Sequence, residues 1–216
     1  MRIRGVFIEQ QEVEDVFAIR FRAGGLSPFL AMPVAVTVHQ SISLDALLGA
    51  AADEIEGRVI EARTTGERID IVERILLRRL ARTGTITPAQ RQVRRAVERI
   101  YCTRGGVTMD QLGGELGMSH RALDRAFGRH VGIAPKRLSR IVRFNYALSR
   151  MQQHAAASHS RVALDAGYAD QSHMIRDFRE FTHSAPADFL ARRYGIVEVS
   201  KSALRDRLSN SFNTTC

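Results

Sequence analysis

The chain has 216 residues, 44% hydrophobic and 25% charged, enough apolar material for a real core, which excludes wholesale disorder. Its formal charge is +9, unevenly spread: residues 1–83 hold 11 basic against 12 acidic side chains, residues 84–191 hold 16 against 9, and residues 192–216 hold 5 against 2. A near-neutral first third followed by a basic remainder is expected where one region meets a polyanion and another does not.

Nearly all the basic residues are arginine, the side chain suited to bidentate contact with phosphate and guanine. A GC-rich genome would favour arginine codons everywhere, so an arginine counts as a signal only inside a motif. Cys102 and Cys216 are the two cysteines, too few for a disulfide framework or a zinc ribbon. There is no apolar run of about 18 residues, and no basic stretch followed by an apolar signal core. The expectation is a reduced, cytoplasmic protein with no membrane partner.

In chain order, Arg2 to Ile8 has weak strand character, and Asp15 to Arg22 alternates with Phe17, Ile19 and Phe21 on one face, predicting a second strand. Ala23 to Pro33, with two glycines and two prolines, predicts a loop. From Ser43, a candidate N-cap, one helix is predicted with Leu44, Leu47, Leu48 and Ile55 on one side. A second helix follows, striped by Ile71, Ile75 and Leu76 against Arg and Glu. Thr83 to Pro88 reads as a boundary, dividing a segment 1–83 from a helical domain 84–193, with a frayed, disordered tail at 194–216.

Aligning the second half with itself at an offset of 51 residues pairs Arg125 with Arg176, Phe127 with Phe178, Ala134 with Ala185, Pro135 with Pro186 and Leu123 with Met174. Two copies of one unit are present. Each has a short amphipathic helix, a glycine turn, a second helix and a loop ending in Ala-Pro. In the first copy these are MDQLGGEL, GMS with Ser119 placed to cap, and HRALDRAFGRH; in the second, RVALDA, a turn from Gly167-Tyr168, and DQSHMIRDFREF. Gly117 and Gly167 suit sharp turns that need positive φ. On each second helix the apolar pairs Leu123/Phe127 and Met174/Phe178 lie four residues apart and share a buried face. The opposite face carries Arg121, Asp124 and Arg125 in one copy and Gln171, Ser172, His173 and Arg176 in the other, a donor and acceptor vocabulary that reads base edges in the major groove.

With LGMSHRALDRAFGRHVGIAPKRL and ALDAGYADQSHMIRDFREFTHSAPADF in view, residues 90–191 resemble the C-terminal DNA-binding domain of the AraC/XylS family of regulators. The resemblance implies a mainly α fold in which two helix-turn-helix units are joined by a long connecting helix, here PKRLSRIVRFNYALSRM, preceded by a small α+β N-terminal remnant. It implies a sequence-specific transcription regulator whose two reading helices enter successive major grooves. Arg121, Asp124 and Arg125 would face the first groove, and Gln171, Ser172, His173 and Arg176 the second. Gly113 and Gly114 stand where the family favours a small helix former such as Ala, at a cost of about 1 kcal/mol each. Ile175 stands where a small hydroxyl residue is common. VFAIRFRAGGLSPFL and the two helices after it resemble the end of the regulatory region in one subgroup, so that region is expected to be shortened and to lack an intact effector pocket.

The seven histidines form no helical HExxH and have no cysteine partner, and no phosphate loop or GxSxG elbow occurs. Two distant cysteines cannot supply the cluster that a DNA-repair methyltransferase fused to such a domain would need. No enzymatic activity, cofactor or metal is expected. Double-stranded DNA is the expected partner, with RNA polymerase a second candidate and a small-molecule effector left open. The alternative is an interaction or ligand-sensing protein that has lost DNA binding; a salt series on duplex DNA separates the two, because phosphate contacts weaken steeply with salt.

Overall fold

The structure, a computed structural model, describes residues 17–83, 86–153, 158–186 and 189. Among these the chain is mainly helical and contains no strand. The element order is two short 3-10 helices, Ser27–Phe29 and Val34–Thr37, then α1 (Leu44–Leu48), α2 (Ala50–Glu61), α3 (Thr65–Thr83), α4 (Pro88–Cys102), α5 (Met109–Leu116), α6 (His120–His130), α7 (Pro135–Gln153), α8 (His159–Asp165) and α9 (Gln171–Thr182). Three helix starts share one device. Thr64 with Glu67, Thr87 with Gln90 and Thr108 with Gln111 form reciprocal capping boxes, the threonine hydroxyl accepting from the third helical N–H while the longer side chain accepts from the threonine N–H.

Several N-terminal expectations are corrected. The strand over Asp15 to Arg22 is not formed where it is described, and Arg2 to Ile8 and the tail 194–216 lie outside the described residues. A strand exists only by pairing, and the three apolar residues instead part company. Phe17 packs against the α2–α3 core, Phe21 stacks on Phe29 at 5.7 Å, and Ile19 is left 44% exposed. The helix expected to run unbroken from Ser43 is cut at Gly49, whose φ of 56° and ψ of −142° end α1 and begin α2. Ser43 occupies the N-cap without a side-chain cap hydrogen bond; its hydroxyl serves the Asp45 carboxylate and lowers its pKa.

Contacts divide the chain into two compact units that interleave along the sequence. One takes residues 17–97 and 113–135. Its core joins Leu48, Ala52 and Ile55 of α1 and α2 to Val72 and Ile75 of α3. Arg79 ties this helical layer to the N-terminal segment by donating to the carbonyls of Leu48 at 2.6 Å and Phe29 at 3.2 Å. The same segment reaches α6: Ser27 Oγ and His130 Nδ1 are hydrogen-bonded at 2.7 Å in a buried contact, and Val34 and Val38 lie against Gly132 just beyond the helix.

The other unit takes residues 98–112 and the described residues from 136 onward. Its core is aromatic, with Phe144 of α7 set edge-on to Phe178 at 4.8 Å and beside Phe181 at 5.3 Å, and with Met151, Val162, Tyr168 and Met174 around them. At its edge Asp177, 1% exposed, accepts from Arg140 at 2.6 Å, and the same guanidinium also holds Glu180, which Arg137 approaches at 3.3 Å. Arg140 keeps the Glu180 carboxyl below the usual carboxylate range, whereas burial, reinforced by the Asp177 charge, raises the Tyr168 phenol. Arg143 lies over the Tyr168 ring at 5.4 Å and donates to the Gly105 carbonyl at 2.7 Å.

Two outcomes follow from these polar contacts. Asp177→Ala removes the buried half of the pair while Arg140, 29% exposed, keeps Glu180, and chemical denaturation is expected to show a loss of about 1.5 to 3 kcal/mol, the scale for a hydrogen bond to a charged group. His130 is held below its ordinary pKa by burial, with the Arg129 charge adding to the effect. The unfolded chain therefore takes up that proton first, and the stability His130 contributes is present above the ordinary histidine range and lost as pH falls through its lowered value. Melting temperature should drop between about pH 7 and pH 5 and drop less in His130→Gln, the histidine range lying near 6.5; equal acid sensitivity of the two chains would exclude His130 as the group responsible.

Candidate nucleic-acid interface

The first helix-turn-helix forms over the expected residues. α5 ends at Leu116, Gly117 turns the chain with φ of 62°, and Ser119 caps α6, its side chain accepting from the Ala122 N–H at 3.3 Å. In the second copy Ser158 caps α8, Gly167 turns with φ of 75°, and Asp170 accepts from the His173 N–H at 2.6 Å. Asp170, read as the first residue of the second helix, is thus its N-cap. The connecting helix runs as α7 with Pro135 at its first position.

The paired apolar positions are buried as their spacing requires: Leu123 and Phe127 on α6, Met174 and Phe178 on α9. That burial turns the predicted site residues outward. Arg121, Asp124 and Arg125 are exposed on α6, and Ser172 and Arg176 are exposed on α9. Gln171 and His173 are half-buried and engaged. The Gln171 side-chain oxygen accepts from the Ser160 hydroxyl of α8 at 2.7 Å, which leaves its NH2 group to face outward contacts, and the His173 ring stands edge-on to Tyr168 at 5.2 Å. The structure therefore brings together three of the residues on one helix face and four near the start of the other.

It also adds residues that motif reading passed over. Arg129 is exposed four residues beyond Arg125, and Arg179 three beyond Arg176, so each outward face continues as a basic row. The helical spacing alone carries that signal. Among the described residues no three of His, Cys, Asp or Glu gather as a metal site, and no helix is long and apolar enough to cross a membrane.

The two glycines of α5 have different standing. A Cβ on Gly113 would come within 2.6 Å of the Met118 carbonyl oxygen in the turn, so the close approach of turn to helix needs glycine there. A Cβ on Gly114 would meet nothing within 4 Å.

Comparison with known families bears on these same residues. Residues 112–192 match the family model of a helix-turn-helix domain. The match supports an AraC-type DNA-binding domain. It covers the whole of α6 through α9, and its family is a DNA-binding regulatory one and not an enzyme family. No curated protein and no solved structure is significantly similar to the chain.

Thermal or chemical denaturation distinguishes the α5 glycines. Gly114→Ala is expected to raise stability by up to about 1 kcal/mol, the helix-propensity difference, whereas Gly113→Ala should lower it because the turn must give way. Equal responses would mean the α5–α6 turn is not packed as described.

Proposed function

We propose that the chain is a sequence-specific transcription regulator that inserts α6 and α9 into successive major grooves of one duplex, with residues 84–193 as the DNA-binding domain. The observation that carries this reading is the shared face. Two helices of equivalent position, each anchored by a buried apolar pair, present an exposed arginine at the same repeat position, Arg125 and Arg176. The family match over both units supports it. Chemically, Arg121, Arg125 and Arg176 suit guanine or phosphate, Asp124 suits the amino group of cytosine, and the Gln171 amide, Ser172 hydroxyl and His173 ring offer mixed donors and acceptors at the start of α9. The two faces differ in residue content, so an asymmetric, bipartite site is preferred over a palindrome. α7 has 19 residues, about 28 Å at 1.5 Å per residue, which suits the connector that the proposal requires. RNA polymerase is a further partner consistent with a regulator.

Duplexes recovered from a random library by the chain define the site. On such a duplex Arg125→Ala and Arg176→Ala should each cost ~1 to 3 kcal/mol of binding, the worth of a bidentate base contact, while Arg68→Ala in α3 should change little. Inserting about 5 bp between the half-sites turns one to the far side of the DNA, since a helical turn is 10 to 10.5 bp, and should reduce binding to that of a single half-site. Retained affinity in both arginine variants removes the assignment of these faces; retained affinity after the insertion removes the two-groove mode alone.

A further inference from the structure

Gly128 has no structural reason to be glycine. It sits inside α6, its φ is not in the left-handed range, and a Cβ built on it would meet nothing within 4 Å. Glycine in a helix interior is disfavoured relative to alanine, so the chain accepts a penalty at a site where no atom of its own needs the space. Such a glycine makes sense where another molecule comes close to the backbone.

Its surroundings say which molecule. With Leu123, Phe127 and His130 turned inward, the outward face of α6 is centred on Arg121, Arg125 and Gly128, with Arg129 on one flank and Asp124 on the other. Gly128 is thus a gap in a row that is otherwise mostly arginine. A helix whose first turns reach base edges leaves its last turn at the wall of the groove, where the sugar–phosphate strand runs. The carbonyl end of a helix carries partial negative charge and repels a phosphate. A strand can settle there only beside a cation, and Arg129 stands next to the gap.

We propose that Gly128 and Arg129 form a docking place for the DNA sugar–phosphate backbone, Gly128 admitting the strand against the helix and Arg129 pairing with one phosphate. The proposal rests on the reading of α6 as a DNA-facing helix and adds a sequence-independent contact to it. It makes the last turn of α6 a clamp that sets how deep the helix sits.

The test uses the full chain and the library-selected duplex, with binding followed by fluorescence anisotropy across a salt series and folding followed by thermal melting. Gly128→Ala and Gly128→Leu should melt at the wild-type temperature or above and bind more weakly, the leucine variant more so. Arg129→Ala should reduce the loss of affinity between ~50 and ~200 mM salt by about threefold, the share of one phosphate contact, and Arg129→Lys should restore it. If both Gly128 variants bind as wild type while Arg125→Ala is weakened, the docking place is overturned and the DNA-facing role of α6 stands. If Arg125→Ala also binds as wild type, the reading of α6 falls and the docking place with it. An unchanged salt slope in Arg129→Ala overturns the phosphate assignment.

Discussion

α6 and α9 can each face in only one direction, because the two apolar residues of each lie one turn apart on a single side and both must leave water. Leu123 and Phe127 on α6, like Met174 and Phe178 on α9, are 1% exposed or less. Burying one such side chain is worth ~1.5 to 3 kcal/mol, and turning either helix by one residue would expose a phenylalanine and drive a polar side chain inward. The outward arginines owe their position to this constraint, and so do the caps at Ser119 and Asp170, which set where each helix begins.

Beyond that shared rule the two copies are secured by different physics. α6 is held at its far end by the N-terminal segment, through the buried Ser27–His130 hydrogen bond and the contact of Val34 and Val38 with Gly132. The segment that precedes the repeat is therefore part of the unit that carries α6. α9 is held by charge. Asp177 and Glu180 share the Arg140 guanidinium of α7, whose Cζ also lies 5.4 Å from the centroid of the Phe181 ring. A buried ion pair adds little net stability over an apolar replacement, but it tolerates few arrangements and so fixes the rotation of α9 against α7.

The outward faces also differ in charge. α6 mixes Asp124 among its arginines, whereas the exposed residues of α9, Ser172, Arg176 and Arg179, include no acid. A carboxylate repels a polyanion and lowers the positive potential of the face that carries it. An acid-free face attracts a polyanion more uniformly.

By itself the repeat at 51 residues determines the helix-turn-helix units, their turns at Gly117 and Gly167, and the inward and outward faces, because each of these depends on local spacing and on the period of a helix. The core pairs and the exposed Arg121, Asp124, Arg125, Ser172 and Arg176 were legible for that reason. What spacing does not carry is partnership at a distance. The alternating Phe17, Ile19 and Phe21 look like a strand until Phe17 and Phe21 find separate places, on the α2–α3 core and on Phe29, and the helix expected from Ser43 breaks at Gly49. No local spacing marks Asp177 as buried, and its partner Arg140 lies 37 residues earlier. His130 and Ser27 lie 103 residues apart, and Gly113 is explained only by the carbonyl that folds back over it. Tertiary structure decided these because each needs two segments brought together, and no local period records which two.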